Sequence, residues 1–195
     1  SEARDFHQRK DRRRTGRVVV GQQDGIGRFH ALRQDRPAGE AQLARRRVEF
    51  CTVHGNDGML RAAADDKGDM RILAVTALTS LDRGDLDDLG FSCDVARLVL
   101  SRARRALEAG CDGVISSGLE AQALKAEFQD RLLVVTPGIR PVDNRADDQK
   151  RTVDVAQAFA NGADYIVVGR PIREAADPRV AAQAIQATIA ALFSE

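Results

Sequence analysis

Aromatic residues are scarce in this 195-residue sequence, which has no tryptophan, one tyrosine and a 4% aromatic share in all. That scarcity argues against the stacking platforms on which single-stranded nucleic-acid binders lay their bases. Long apolar runs are missing as well. None approaches the roughly 18 residues of a membrane span, and the first residues are charged where a secretory signal carries an apolar centre. The expectation is a cytoplasmic chain with no membrane partner. Cysteine is limited to Cys51, Cys93 and Cys111. They are odd in number, widely spaced and outside any C-x-x-C pair, so they suggest neither zinc nor thiol redox chemistry and read as reduced, structural residues. An excess of one charge is absent from the total, which is +1, but not from its distribution. Residues 1–47 hold 13 Lys and Arg against 6 Asp and Glu, a net +7, and residues 48–195 hold 17 against 23, a net −6. Such asymmetry can mark a nucleic-acid arm. No recognised motif accompanies these arginines, and no nucleic-acid partner is expected.

The apolar share of 43% suits an ordinary globular domain with a sizeable core. Beyond residue 47, short apolar runs alternate with helical patterns: FCTVHG at 50–55, ILAVT at 72–76, GVIS at 113–116, LLVVT at 132–136 and YIVVG at 165–169. Near-continuous apolar runs of this length predict strands of a parallel sheet covered by helices. Asp94 is placed to cap a helix carrying Val95, Leu98, Val99, Ala103, Ala106 and Leu107, with Gly110 ending it. The last helix shows a stripe of Ala181, Ala184, Ile185, Thr188, Ile189 and Leu192, expected to lie against the sheet. Residues 1–47 differ. Their one apolar run, in GRVVVG at 16–21, allows a short strand, and ALRQDRPAGEAQLARRR at 31–47 allows a helix broken at Pro37 and Gly39. Otherwise the stretch is an aperiodic basic leader, disordered or out of frame, since a GC-rich gene read in the wrong frame would give such a composition. Inspection of the coding DNA tests that origin.

Polar or glycine-rich groups recur where the apolar runs end: His54 and Gly55, Thr79 and Ser80, Ser116 to Gly118, Gly138 to Arg140, and Gly169 with Arg170. In a barrel of parallel strands those ends converge on one mouth. VTPGIRP at 135–141 and VVGRPI at 167–172 are the strongest signals. Glycine lets backbone N–H groups approach an anion, a helix start adds its positive end, and Arg offers a planar fork for phosphate oxygens. A phosphorylated ligand follows.

In this order and spacing, CTVHG, LAVTALTSLD, CDGVISSGLEA, LLVVTPGIRP, DDQKR and ADYIVVGRPI resemble bacterial-type orotidine 5'-phosphate decarboxylase over residues 48–195. The resemblance implies a (β/α)8 TIM barrel of the phosphate-binding type with its N-terminal β-α units missing or replaced. It implies conversion of orotidine monophosphate to uridine monophosphate and carbon dioxide in pyrimidine biosynthesis, with no metal or organic cofactor, by a homodimer. It also implies substrate-binding roles for Thr79, Arg140, Gln149, Gly169 and Arg170. Thr79 would touch the pyrimidine, with Ser80 beside it. Arg140 and Gln149 would belong to a loop over the ligand, and Gly169 with Arg170 would hold the phosphate. His54 reads as a hydrogen-bonded structural histidine.

The departure is the catalytic D-x-K-x-x-D motif. Asp65-Asp66-Lys67-Gly68-Asp69-Met70 has Met70 where the second Asp belongs and reads as a solvated turn. Lys10 and Lys150 also lack the pattern. The expectation is a barrel enzyme by ancestry and an inactive chain. The competing readings are a sugar-phosphate decarboxylase or aldolase relative, and a non-catalytic nucleotide-binding fragment.

Overall fold

The computed structural model describes residues 48–65, 67–140 and 152–194, together with the backbone of 17–19. Six strands make one sheet: β1 (Arg17–Val19), β2 (Phe50–Val53), β3 (Arg71–Val75), β4 (Gly113–Ile115), β5 (Leu133–Thr136) and β6 (Tyr165–Val167). All pairings are parallel, in the order β1-β6-β5-β4-β3-β2. The helices are α1 (Asp57–Asp65), α2 (Arg83–Asp88), α3 (Val95–Glu108), α4 (Ala121–Phe128), α5 (Val155–Ala160), α6 (Arg170–Arg173) and α7 (Pro178–Leu192). β1 falls within the run that the sequence offered as a short strand. It lies beside the last strand, with Val18 opposite Ile166, which is where a barrel needs its first strand. The possible helix at 31–47 lies outside the described residues.

The sheet is curled. From β6 to β2 is four strand spacings, about 19 Å if the sheet were flat, yet the rings of Tyr165 and Phe50 meet edge to face with centroids 5.0 Å apart. Arg71 on β3 joins them, its Nη1 donating to the Tyr165 hydroxyl at 3.2 Å and its guanidinium lying 5.4 Å from the Phe50 ring centroid. These side chains cross the concave side of the sheet, so the strands bend as barrel staves do.

Alternation divides each strand between two environments. Ile72, Ala74, Val114 and Val134 face α1, α3 and α4, packing with Leu60, Val99, Ala103, Ala106 and Leu124 in a cluster from which solvent is almost excluded. Ile166 and Val168 do the same against α5 and α7 with Ala158 and Ile189. Each fully buried Leu, Ile or Val contributes about 2 kcal/mol. On the concave side, Arg71, Val75, Ile115, Leu133, Tyr165 and Val167 are only half-buried. Leu73, Gly113 and Val135 on that same side are buried, so the runs expected to be buried on both faces are packed throughout on the helical one and in part on the concave one.

Local signals set the helix starts. Asp94 accepts the Arg97 N–H at 2.7 Å as expected, and Gly110 follows the end of α3. Asp154, Asp177 and the capping box of Asp82 with Asp85 start α5, α7 and α2. The expected stripe of α7 needs correction. Ile189 is buried and Ala182 and Ile185 pack on the core, but Ala184 and Thr188 are exposed and Leu192 is 43% exposed. Among the described helices, α7 packs against α5 and α6, which leaves one flank of its apolar stripe bare.

Residues 67–70 form a turn, as expected, with Gly68 and Asp69 exposed and its two ends tied to the fold. Met70 is buried, and Lys67 donates to the Gly110 carbonyl at 2.8 Å and to Asp112 at 2.7 Å.

Candidate functional site

Strands that run parallel end on one edge, and that edge gathers the loops the sequence marked. Past β3, the buried Thr76 hydroxyl donates to the Ile115 carbonyl at 2.9 Å. A turn closed by the Leu81 N–H on the Leu78 carbonyl then presents Thr79, half-buried, and Ser80, exposed. β5 and β6 are neighbours, with Val135 opposite Tyr165 and Thr136 opposite Ile166. Their following segments, Gly138 to Arg140 and Gly169 with Arg170, thus start side by side, with Thr79 on the same edge across β4. Arg140 is 9% exposed, and its Nη1 donates to the Ile139 carbonyl at 3.4 Å. A charge so withdrawn from water attracts an anion with little screening.

The backbone of Arg140 is fixed too. Its N–H donates to the Val153 carbonyl at 3.1 Å, and Ile139 bridges Val153 in parallel. Both ends of the polar segment between them are thereby held on the sheet edge; Gln149 lies outside the described residues. Beyond β6, Gly169 precedes α6, and its carbonyl accepts the N–H groups of Ile172 and Arg173 at 3.0 Å each. α6 has one turn and carries Pro171, which has no N–H. So short a helix sums few peptide dipoles, and any grip here rests on the Arg170 guanidinium rather than on the helix-end field the sequence suggested. Gly169 and Arg170 are half-buried.

Three features went unassigned in the sequence. Ser116 and Thr136 continue β4 and β5, and their hydroxyls are buried without a hydrogen-bond partner among the described residues. Gly118 lies against Val153, directly under the segment that carries Arg140. The S-S-G signal at a strand end was visible, but not what it touched. Separately, a cavity of about 330 Å³ opens beside His54, lined by Asn56, Leu60, Ala74, Arg102 and Arg105. It sits between α1 and α3, away from the β5–β6 edge where Arg140 and Arg170 lie. Burial and then the Arg102 charge lower the His54 pKa below its ordinary 6.5, favouring neutral imidazole.

At the opposite edge, Lys67 pairs with Asp112, and Lys125 pairs with Asp164 at 2.5 Å. Neither lysine is at the mouth. Cys111 is buried nearby, and burial raises its pKa to about 11, which keeps it a thiol. None of the three cysteines is in a disulfide. No described helix is long and apolar enough to cross a membrane.

A curled all-parallel sheet backed by helices, with glycine and arginine at the ends of its last strands, defines a phosphate-binding (β/α)8 barrel of which the described residues form a part. The profile of the orotidine 5'-phosphate decarboxylase / HUMPS family matches residues 35–185. The chain is 68% identical over 153 residues to orotidine 5'-phosphate decarboxylase of Methylococcus capsulatus, covering 78% of this chain and 63% of that protein. It is 49% identical over 147 residues to the enzyme of Nitrobacter winogradskyi, covering 74% and 61%. The crystal structure of orotidine 5'-phosphate decarboxylase from Lactobacillus acidophilus superposes with a TM-score of 0.66 at 35% identity, covering 78% of this chain and 68% of that one. The chain belongs to this family. It spans a little over three-fifths of the length of the two curated relatives it matches, and the match begins at residue 35, ahead of Val48.

Proposed function

We propose that this chain binds a pyrimidine nucleoside monophosphate at the carboxyl edge of its sheet and does not decarboxylate it. Arg140 and Arg170, with backbone at Gly169, grip the phosphate; Thr79 with Ser80 meets the pyrimidine; Gln149 closes the set. The observation that carries this reading is the adjacency of β5 and β6, which starts both glycine-arginine segments side by side. Two arginine forks can hold a phosphate dianion through several charge-assisted bonds. No metal or cofactor enters the scheme.

Decarboxylation asks for more. A carbanion-like centre must form at the ring carbon that loses carbon dioxide, so a fixed ammonium must stabilise it and then donate a proton, with carboxylates holding that ammonium. Of the four lysines, Lys67 and Lys125 are tied to aspartates at the opposite edge. Lys10 and Lys150 lie outside the described residues and lack the D-x-K-x-x-D spacing. This supports binding without turnover, in a cytoplasmic chain derived from a homodimeric enzyme.

The test is calorimetric titration with uridine monophosphate alongside an orotidine monophosphate decarboxylation assay. Binding that weakens about tenfold or more in Arg170→Ala, without turnover, is expected. Absence of uridine monophosphate binding overturns the site, and turnover at a relative's rate overturns the inactivity.

A further inference from the structure

The segment that carries Arg140 is seated on a residue with no side chain. Gly118 follows β4, and a Cβ built on it would overlap Val153 Cγ2 and stand 3.3 Å from Val153 Cγ1 and Thr136 Cγ2. Val153 is 8% exposed and β-branched, so it has little freedom to turn away. Its carbonyl receives the Arg140 N–H, and its backbone pairs with Ile139. From the other side, Asn161 Nδ2 donates to the Gly118 carbonyl at 2.7 Å, while Asn161 Oδ1 accepts from Gln157 Nε2 at 2.6 Å. A continuous chain of contacts therefore runs from α5 through Asn161 and Gly118 to Val153 and Arg140.

We propose that Gly118 is a positioning residue for the phosphate grip: its missing Cβ lets Val153 seat against the turn after β4, and Val153 in turn fixes the backbone from which Arg140 projects. The inference deepens the nucleotide-binding reading and rests on it for its functional consequence. A guanidinium fork needs its backbone fixed to well under an ångström to meet phosphate oxygens in line. A methyl group on Gly118 pushes Val153 outward, and the Arg140 N–H loses its acceptor. The contact reaches Arg140 through Val153, which is why Gly118 is assigned a positioning part.

The experiment compares the parent chain, Gly118→Ala, and Gly118→Ala combined with Val153→Ala, which removes the methyl groups the new Cβ meets. Native-state amide exchange of Arg140, uridine monophosphate titration and thermal unfolding are read on each. In Gly118→Ala the Arg140 amide should exchange about tenfold faster, and the Kd should rise about fivefold or more while the protein still unfolds cooperatively. The double variant should return both to within about twofold of the parent, the non-additivity expected of touching residues. Unchanged Arg140 exchange in Gly118→Ala overturns the proposal, as does a double variant that recovers neither quantity. If Gly118→Ala does not fold, Asn161→Ala frees the Gly118 carbonyl without adding atoms. It is read the same way, with unchanged exchange again decisive against the idea. If the parent chain fails to bind uridine monophosphate, the proposed function falls, while the exchange comparison still decides whether Gly118 sets the backbone of Arg140.

Discussion

The two edges of the sheet are built to different ends. At the amino edge, Asp112 and Asp164 occupy equivalent places, each one residue before a strand, in CDGVI and ADYIV. Asp112 accepts the Ile72 N–H at 2.9 Å and pairs with Lys67; Asp164 accepts the Val134 N–H at 2.8 Å and pairs with Lys125. Each clip fastens a strand to its neighbour and satisfies a donor that the register leaves over. At the carboxyl edge the buried hydroxyls of Ser116 and Thr136 have no partner among the described residues, a guanidinium is drawn inward at Arg140, and loops replace clips. Pairing polar groups stabilises a fold, and leaving buried hydroxyls unmatched costs stability. The difference teaches that the amino edge is where this chain invests in holding together, and the carboxyl edge is where the proposed binding is to be tested.

Substitutions at either edge can break that contrast. The largest effect is expected for Asp164→Ala, which strands the Val134 N–H and leaves the Lys125 ammonium with the Leu132 carbonyl but no counter-charge. It should lower unfolding free energy by about 2 to 3 kcal/mol in urea titrations, with nucleotide affinity of the folded fraction unchanged; a change in affinity instead would dissolve the division between the edges. Next comes Gly113→Ala on the concave face, where a Cβ would stand 2.7 Å from Leu133 Cβ and 2.8 Å from Leu73 Cδ2. Overpacking there should cost about 1 to 3 kcal/mol in the same measurement. Arg170→Ala sharpens the comparison from the other side, because the tenfold loss of uridine monophosphate affinity should come with a stability change within about 0.5 kcal/mol.

The smallest effect concerns pH. The His54 pKa is lowered in the fold, so between that value and 6.5 the unfolded chain binds more protons than the folded one. The contribution to stability is full above pH 6.5 and is lost as pH falls through the lowered value. Melting temperatures between pH 5 and 7.5 should therefore show a shallow decline on the acid side that His54→Gln flattens. An identical slope in the variant would assign the decline to other groups.

Particular residues show how far the sequence could be read. Asp94 announced the start of α3, and that reading stands because a cap depends on neighbours within a few positions. The α7 stripe went astray at Ala184, Thr188 and Leu192 because periodicity gives a face but not the number of helices available to cover it. The Gly118–Val153 contact was invisible for a similar reason, since 35 residues separate the two and nothing local to either announces the other.

By itself the sequence determined the class: alternating apolar runs and amphipathic helices dictate a parallel sheet under helices, and glycine with arginine follows the last two strands. These are short-range facts of periodicity and side-chain type. Only the tertiary structure decided that β1 lies beside β6, that Lys67 and Lys125 are tied down at the edge away from the mouth, and that Arg140 rests on Val153 and Gly118. Each depends on which distant segments the curl of the sheet brings into contact, and curvature is a property of the packed strands together.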